Sequence, residues 1–188
     1  MRALLAALLI VVCACPSAAG AALALDERLT QEAIRVGQRS ITSEVFDAEW
    51  RVGNDAGDSV LVYTPFHRIA LAARHSAFKN QVLKPSEPER ILKENGDRLV
   101  LWTYLKGGRE DFARYYVPRL FVGEREIEPA FVQNERTAAR DDAGRFVARC
   151  VYGFPIKELT GSSRLVLAVR DAEGKDVSRF TIDLSTMR

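Results

Sequence analysis

The apolar residues change to a period of two after residue 98, and this alternation limits the fold more than any other feature of the chain. In RLVLWTYL (98–105), leucines occupy one face of a strand, while Val100, Trp102 and Tyr104 occupy the other. A strand that is apolar on both faces must be covered on both sides. The sequence therefore predicts a sheet that lies between two other layers.

Two later segments repeat the alternation. In RFVARCVYGF (145–154) one face is interpreted as core, and it consists of Phe146, Ala148, Cys150, Tyr152 and Phe154. Residues 164–184 predict a hairpin, because pairing Arg170 with Val177 keeps the apolar side chains of both strands on the inward face. The same register places Arg164 opposite Asp183.

Five or six short strands separated by Gly and Asp turn signals are typical of an antiparallel β-sandwich. In the predicted strand FARYYVPRLFV (112–122), Pro118 lacks an amide hydrogen and so indicates an edge or a bulge. Pro129 interrupts another predicted strand, REIEPAFVQ (125–133). In topology alone, the pattern resembles immunoglobulin-like sandwiches over about residues 98–184. The Cys…Trp…Cys framework of true immunoglobulin domains is absent.

The first half of the chain is mainly helical in pattern. LDERLTQEAIRVGQRS (25–40) predicts an amphipathic helix that ends around Gly37, and an extended piece follows near residues 45–52. DSVLVYTP (58–65) predicts a strand, because its valines and tyrosine favour the pleated conformation.

Two further helices are predicted before residue 98. Thr64 is a suitable N-cap with Pro65 at the first helical position of FHRIALAARHSAFKN (66–80). Ser86 and Glu89 fit a capping box for the last helix, which Asn95-Gly96 ends. Residues 25–188 therefore predict a single α+β domain. Its helical first part, 26–96, packs on one sheet of a β-sandwich over residues 98–186.

The N-terminal residues indicate export. No charged residue lies between Arg2 and Asp26, and the apolar run from Ala3 to Ala14 has the length of a secretory signal. Val12-Cys13-Ala14-Cys15 resembles a bacterial lipobox, which implies that the signal ends at Ala14 and that Cys15 is diacylated. Pro16, in place of Asp, then implies sorting to an outer membrane that faces the periplasm.

Two alternatives to lipidation remain open. An ordinary signal peptidase would cleave after Ala21 or Ala24, so that residues 1–24 are a signal peptide and the protein is soluble in the periplasm or secreted. An uncleaved membrane anchor is the other alternative, although Pro16, Ser17 and Gly20 break the second half of the segment.

Cysteine and charge composition narrow the class of protein. Cleavage or lipidation leaves Cys150 as the single thiol, which excludes an intrachain disulfide and favours a buried structural cysteine. The net charge of +2, from 27 basic and 25 acidic residues, does not indicate a nucleic-acid partner.

The sequence predicts no catalytic residue, metal ligand or cofactor. Gly57 to Val60 (GDSV) resembles the nucleophile block of GDSL-type hydrolases, but no histidine follows His75 to activate Ser59. His67 and His75 are eight positions apart, about 12 Å along a helix, which is too far for one zinc ion. Each histidine is interpreted as a surface or cap residue.

Aromatic and arginine side chains are the candidate binding residues. Phe66, Trp102 and Tyr104 are expected near an apolar ligand pocket between the helices and the sheet. Tyr115 and Tyr116 are candidates for a stacking surface. Arg145 and Arg149 belong to an arginine-rich window, which forms either an ion-paired sheet face or a strip that contacts a partner.

Three functions are consistent with these features. The first is a non-enzymatic envelope protein, lipid-anchored or soluble, that docks as an interaction module on another envelope component. The second is a periplasmic protein that binds a ligand in the predicted pocket. The third is a hydrolase whose site the sequence does not reveal.

Overall fold

The computed structural model describes residue 21 and residues 23–188. These residues form three α-helices and two antiparallel β-sheets, of six and four strands, so the fold class is α+β. The lipobox and Cys15 lie outside the described residues. Within the described part of the chain, no helix is both long and apolar enough to cross a membrane.

The three helices are those that the sequence predicts, and they are α1 (Glu27–Arg39), α2 (Pro65–Phe78) and α3 (Glu87–Asn95). The side chain of Thr64 accepts a hydrogen bond from the His67 amide at 3.1 Å, which confirms this N-cap. The prediction of a capping box at the start of α3 is wrong, because the Ser86 side chain makes no capping hydrogen bond. Its backbone is already helical, whereas an N-cap residue normally has extended dihedral angles.

Gly37 lies inside α1 and does not end it. A Cβ atom at this position would lie 2.1 Å from the carbonyl oxygen of Ala70 in α2. Glycine is required here because the two helix backbones approach each other closely. The helix continues to Arg39, two residues beyond the predicted end.

The described residues contain ten strands. In chain order these are β1 (Arg51–Gly53), β2 (Ser59–Tyr63), β3 (Arg98–Gly107), β4 (Val117–Val122), β5 (Arg125–Ile127), β6 (Phe131–Gln133), β7 (Ala139–Arg140), β8 (Phe146–Pro155), β9 (Arg164–Arg170) and β10 (Asp176–Asp183). The six-stranded sheet has the order β1-β2-β3-β8-β6, with β7 also paired to β8. The four-stranded sheet has the order β10-β9-β4-β5.

The first half of the chain contributes more to the sheets than the sequence indicates. β1 and β2 pair with each other and β2 pairs with β3, so the predicted division at residue 98 does not separate helices from sheet. Of the extended piece predicted near 45–52, only Arg51 and Val52 are extended, as the start of β1; the residues before them form turns and the short 3-10 helix Ala48–Trp50.

The predicted hairpin is confirmed as β9 and β10. Arg164 pairs with Asp183 across the strands, and their side chains form an ion pair at 3.0 Å. Near the turn, however, Arg170 pairs with Asp176 and not with Val177. The register shifts by one residue between Asp176 and Ser178, and this irregularity leaves Val177 without the predicted pairing to Arg170.

The two prolines of the β region mark local changes in pairing. At Pro118, β4 pairs with β9 alone, because its pairing with β5 begins only at Leu120. The predicted strand 125–133 is two strands that belong to different sheets, and Pro129 lies where the chain crosses between them. The strand predicted from residue 112 begins only at Val117.

The alternation correctly predicts most of the core, although Phe146, on the predicted core face, is only partly buried. Ala148, Cys150, Tyr152 and Phe154 of β8 are fully buried, in one hydrophobic cluster with leucines of β3, β4 and β9. The prediction of a buried cysteine is confirmed, because Cys150 has no exposed surface; this burial raises the pKa of its thiol.

Candidate ligand groove

An open groove of about 380 Å³ lies between helices α2 and α3 and one face of the six-stranded sheet. Its volume is within the range of small-molecule sites, roughly 300–1,000 Å³. The side chains that line it are Tyr63, Arg68, Leu71, Ala72, His75, Ile91, Val100, Trp102 and Phe131.

The floor of the groove is an aromatic surface on the sheet. Tyr63 pairs with Val100 in the register of β2 and β3, and the rings of Tyr63 and Trp102 lie 5.1 Å apart. Phe131 of β6 lies across Gly153 of β8, where a Cβ atom would come within 2.1 Å of the ring. Because Gly153 has no side chain, the Phe131 ring can lie against the strand and extend the floor.

The wall is formed mainly by α2. The helix side chains in the wall stand at positions i, i+3, i+4 and i+7 and therefore lie on one side of α2; they are Arg68, Leu71, Ala72 and His75. Ile91 of α3 completes the wall. Most of the lining is apolar. Among the lining residues that belong to the helices, only Arg68 and His75 have charged or titratable side chains.

Arg68 is the unusual polar group of the groove. Its Nε donates a hydrogen bond to the Tyr63 carbonyl at 3.3 Å, whereas its Nη2 is buried and has no hydrogen-bond partner among the described residues. The pKa of Arg68 is lowered to about 10, mainly by burial; Tyr63 opposes this shift, and the positive charge of Arg98 adds to it. The structure thus leaves part of a guanidinium group without a partner.

His67 lies outside the groove, in the core. The side chain is fully buried, and its Nε2 is 2.9 Å from Oδ1 of Asp47. The ring of Trp50 is 4.5 Å away and that of Tyr63 is 4.8 Å away. The hydrogen bond from His67 lowers the pKa of Asp47. The interpretation of His67 as a surface residue is therefore wrong, and no sequence signal connects it to Asp47.

Of the three residues expected around a pocket, only Trp102 lines the groove. Phe66 is buried and packs against Trp50, with 6.4 Å between ring centroids. Tyr104 lies on the same sheet face as Trp102 but outside the groove, with the Arg51 guanidinium 5.3 Å from its ring.

The other candidate residues lie apart from one another. Arg149 stacks on Trp102 at 5.0 Å, whereas Arg145 pairs with Asp141 at 3.3 Å beside a turn. Tyr115 ends a turn, with 67% of its surface exposed, and Tyr116 packs against Phe112. Tyr115 borders two other clefts, of about 480 and 330 Å³, whose linings are more polar. A single stacking surface of Trp102, Tyr115 and Tyr116 does not form.

Half of the arginine-rich window is ion-paired: of its eight arginines, Arg109, Arg119, Arg125 and Arg145 form salt bridges with described residues. Arg119 pairs with Glu126 and Glu128, and Arg125 pairs with Glu158 at 3.0 Å. Within the described residues, no three His, Cys, Asp or Glu side chains are grouped so that they could hold a metal ion.

Comparison with known proteins leaves the function open. No protein family and no curated protein sequence matches the chain. Among solved structures, the chain is similar to a crystal structure from Burkholderia pseudomallei described as a novel protein of unknown function. The sequence identity is 10% and the TM-score is 0.43, over 86% of this chain and 91% of that one. What the protein binds must therefore be inferred from its own geometry.

Proposed function

We propose that this chain is an exported, non-enzymatic binding protein whose groove holds a small molecule with an apolar body. The observation that carries the proposal is the groove of about 380 Å³ with its floor of Tyr63, Trp102 and Phe131. Aromatic and aliphatic side chains with a few polar groups are the usual lining of ligand pockets. The hydrogen-bonded pair of buried His67 and half-buried Asp47 lies outside this groove, and the groove is proposed to bind and not to react.

The two sheets are proposed to form a β-sandwich of the immunoglobulin-like kind. Buried residues of both sheets belong to one hydrophobic cluster, as expected for two sheets that pack face to face. Asp58, just before β2, accepts a hydrogen bond from Ser178 of β10, which links this segment to the other sheet. In this arrangement the helices and the groove lie on the side of the six-stranded sheet that faces away from the sandwich core.

Filling the groove tests the ligand-binding proposal. The variant Ala72→Trp places a large ring in the wall, and we expect it to weaken binding of decanol at least tenfold. Decanol is a suitable probe because its chain is apolar and its head group is uncharged. The matched control, Ala143→Trp, lies in an exposed turn and should bind decanol like the wild type. Calorimetric titration measures both affinities. Equal decanol binding by the wild type and Ala72→Trp would contradict the proposal, and so would a wild type that binds neither decanol nor the corresponding acid, decanoate.

Lipid anchoring through Cys15 is part of the proposal. Ala21 is 2% exposed, and its amide donates a hydrogen bond to the Leu184 carbonyl at 2.8 Å. Cleavage after Ala21 or Ala24 would remove this contact, whereas a mature chain that begins at Cys15 keeps it. Six residue steps separate Cys15 from Ala21 and span roughly 20 Å at most. Anchoring would therefore hold the domain close to the membrane surface.

The mature N-terminus tests the anchor. We expect mass spectrometry of the protein from its native membrane to find an acylated N-terminal peptide that begins at Cys15. The variant Cys15→Ala should lose both palmitate labelling and membrane fractionation. An unlabelled wild type with an N-terminus at Ala22 or Leu25 would show instead that an ordinary signal peptidase cleaves the chain.

Docking on another envelope component remains a second proposal. Phe78, the last residue of α2, and Val82, in the loop after it, are 74% and 80% exposed. We propose that they belong to an apolar contact surface for that component, because contiguous exposed apolar patches mark interaction sites.

A further inference from the structure

We propose that the ligand of the groove carries an acid group and that Arg68 binds it. This inference rests on the proposed function and names its ligand class: a single-headed anionic amphiphile, with an apolar chain or ring that ends in a carboxylate. The juxtaposition that carries it is a partly buried guanidinium, whose buried Nη2 has no partner among the described residues, beside an aromatic floor.

The hydrogen bonds of Arg68 are incomplete in the free protein. The Nε–H bonds the Tyr63 carbonyl, which leaves the Nη2 amino group buried and unsatisfied. A buried donor without a partner is costly, and groups of this kind in folded proteins are normally satisfied. Because Nη2 has almost no accessible surface in the free protein, the guanidinium must turn toward the groove for a ligand oxygen to supply the missing acceptor.

Charge around the groove also favours an anion. Arg68 forms no ion pair with any of the described residues, whereas the neighbouring cation Arg98 is paired with Asp97 at 2.8 Å. A guanidinium presents two parallel N–H groups that match the two oxygens of a carboxylate. An acid group would thus offset a positive charge that the protein itself leaves unpaired.

The remaining lining requires more than an inorganic ion. Leu71, Ile91 and Val100 add aliphatic side chains to the lining that contains the Trp102 ring. A small anion at Arg68 would leave this surface in water, whereas a ligand with an apolar chain would cover it. The two parts of the groove together select an amphiphile.

Comparison of decanoate with decanol tests the head-group assignment, because the two probes share a chain of the same length. We expect the wild type to bind decanoate at least tenfold more tightly than decanol at pH 7. In Arg68→Met, which keeps an apolar stem but removes the charge, decanoate should bind at least tenfold more weakly. Its affinity for decanol should change by less than about threefold.

A matched control and a second variant complete the experiment. Arg90→Met removes an exposed arginine of α3 that pairs with Glu87 and Glu94, and it should retain the decanoate preference. Arg68→Lys keeps the charge without the planar fork and should show an intermediate preference, which also tests the assignment if Arg68→Met does not fold.

The outcomes separate this inference from the proposed function. Equal binding of both probes by the wild type, or an unchanged decanoate preference in Arg68→Met, would overturn the assignment of Arg68 and leave the apolar groove intact. If Arg90→Met also lost the preference for decanoate over decanol, general surface charge and not Arg68 would be responsible for that preference. Binding of neither probe by the wild type would overturn both proposals.

Discussion

Replacing Trp50 with alanine is expected to lower the free energy of unfolding by about 3–5 kcal/mol, the usual range for a buried tryptophan. Trp50 is 1% exposed and packs against the rings of Phe46, Phe66 and His67. It belongs to the short 3-10 helix before β1, so its ring connects that segment to the first turn of α2. Alanine would leave a cavity among these rings.

A conservative variant separates packing from hydrogen bonding at this site. The indole Nε1 of Trp50 donates to the Arg188 carbonyl at 2.8 Å, and Thr64 Oγ1 donates to the same oxygen at 2.6 Å. Trp50→Phe removes one of these two bonds but keeps most of the ring, so we expect less than half the loss seen with alanine. Urea unfolding followed by circular dichroism measures both variants. A loss below about 1 kcal/mol for Trp50→Ala would show that this cluster does not stabilise the domain.

Replacing Asp58 with alanine is expected to cost about 2–4 kcal/mol, although this residue lies in a glycine-containing turn. Asp58 is 6% exposed and accepts two hydrogen bonds. Its Oδ1 accepts from the Lys106 amide of β3 at 2.9 Å, and its Oδ2 accepts from the Ser178 hydroxyl of β10 at 2.8 Å. Alanine would remove the acceptor for both donors, and a carboxylate accepts each bond more strongly than a neutral group does.

Two further variants define what Asp58 contributes. Asp58→Asn keeps an acceptor for Lys106 and should lose about half as much stability. Asp55→Ala, three residues earlier and exposed, should be within about 0.5 kcal/mol of the wild type. Chemical denaturation at pH 7 gives all three values. Wild-type stability of Asp58→Ala would mean that water replaces the carboxylate, and that this contact between the sheets is dispensable.

The sequence predicts well those parts of the fold in which neighbouring residues share one environment. The alternation in β3 and β8 and the inward faces of the β9–β10 hairpin follow directly from a period of two. The N-cap Thr64 is recognisable because its contact to His67 is local. Local signals, however, do not reveal which strands become neighbours, so the pairing of β2 with β3 was not predicted.

Residues whose roles depend on distant contacts could not be assigned from the sequence. Gly37 has the sequence signature of a helix end, but its role is set by Ala70 of another helix. Asp58, in a segment that resembles a hydrolase motif, instead connects β3 to β10. Both residues satisfy constraints that are visible only after the chain has folded.

The groove shows the same limit. Its lining comes from two helices and from strands β2, β3 and β6, and of these residues only Trp102 was a candidate beforehand. The spacing of Arg68, Leu71, Ala72 and His75 marks one side of a helix, which could have indicated a shared surface. Their opposition to Phe131 depends on the pairing of β6 with β8, which the sequence did not predict.

The most direct test of the ligand groove is to titrate the isotope-labelled protein with decanoate and follow its methyl and side-chain NMR signals. The groove predicts saturable shifts for the methyl groups of Leu71, Ile91 and Val100 and for the indole of Trp102, with one common dissociation constant. The buried methyl groups of Leu165 and Leu167, in the four-stranded sheet, should move little. The absence of saturable shifts, or the largest shifts around Tyr115 in the polar clefts, would contradict a ligand site between the helices and the six-stranded sheet.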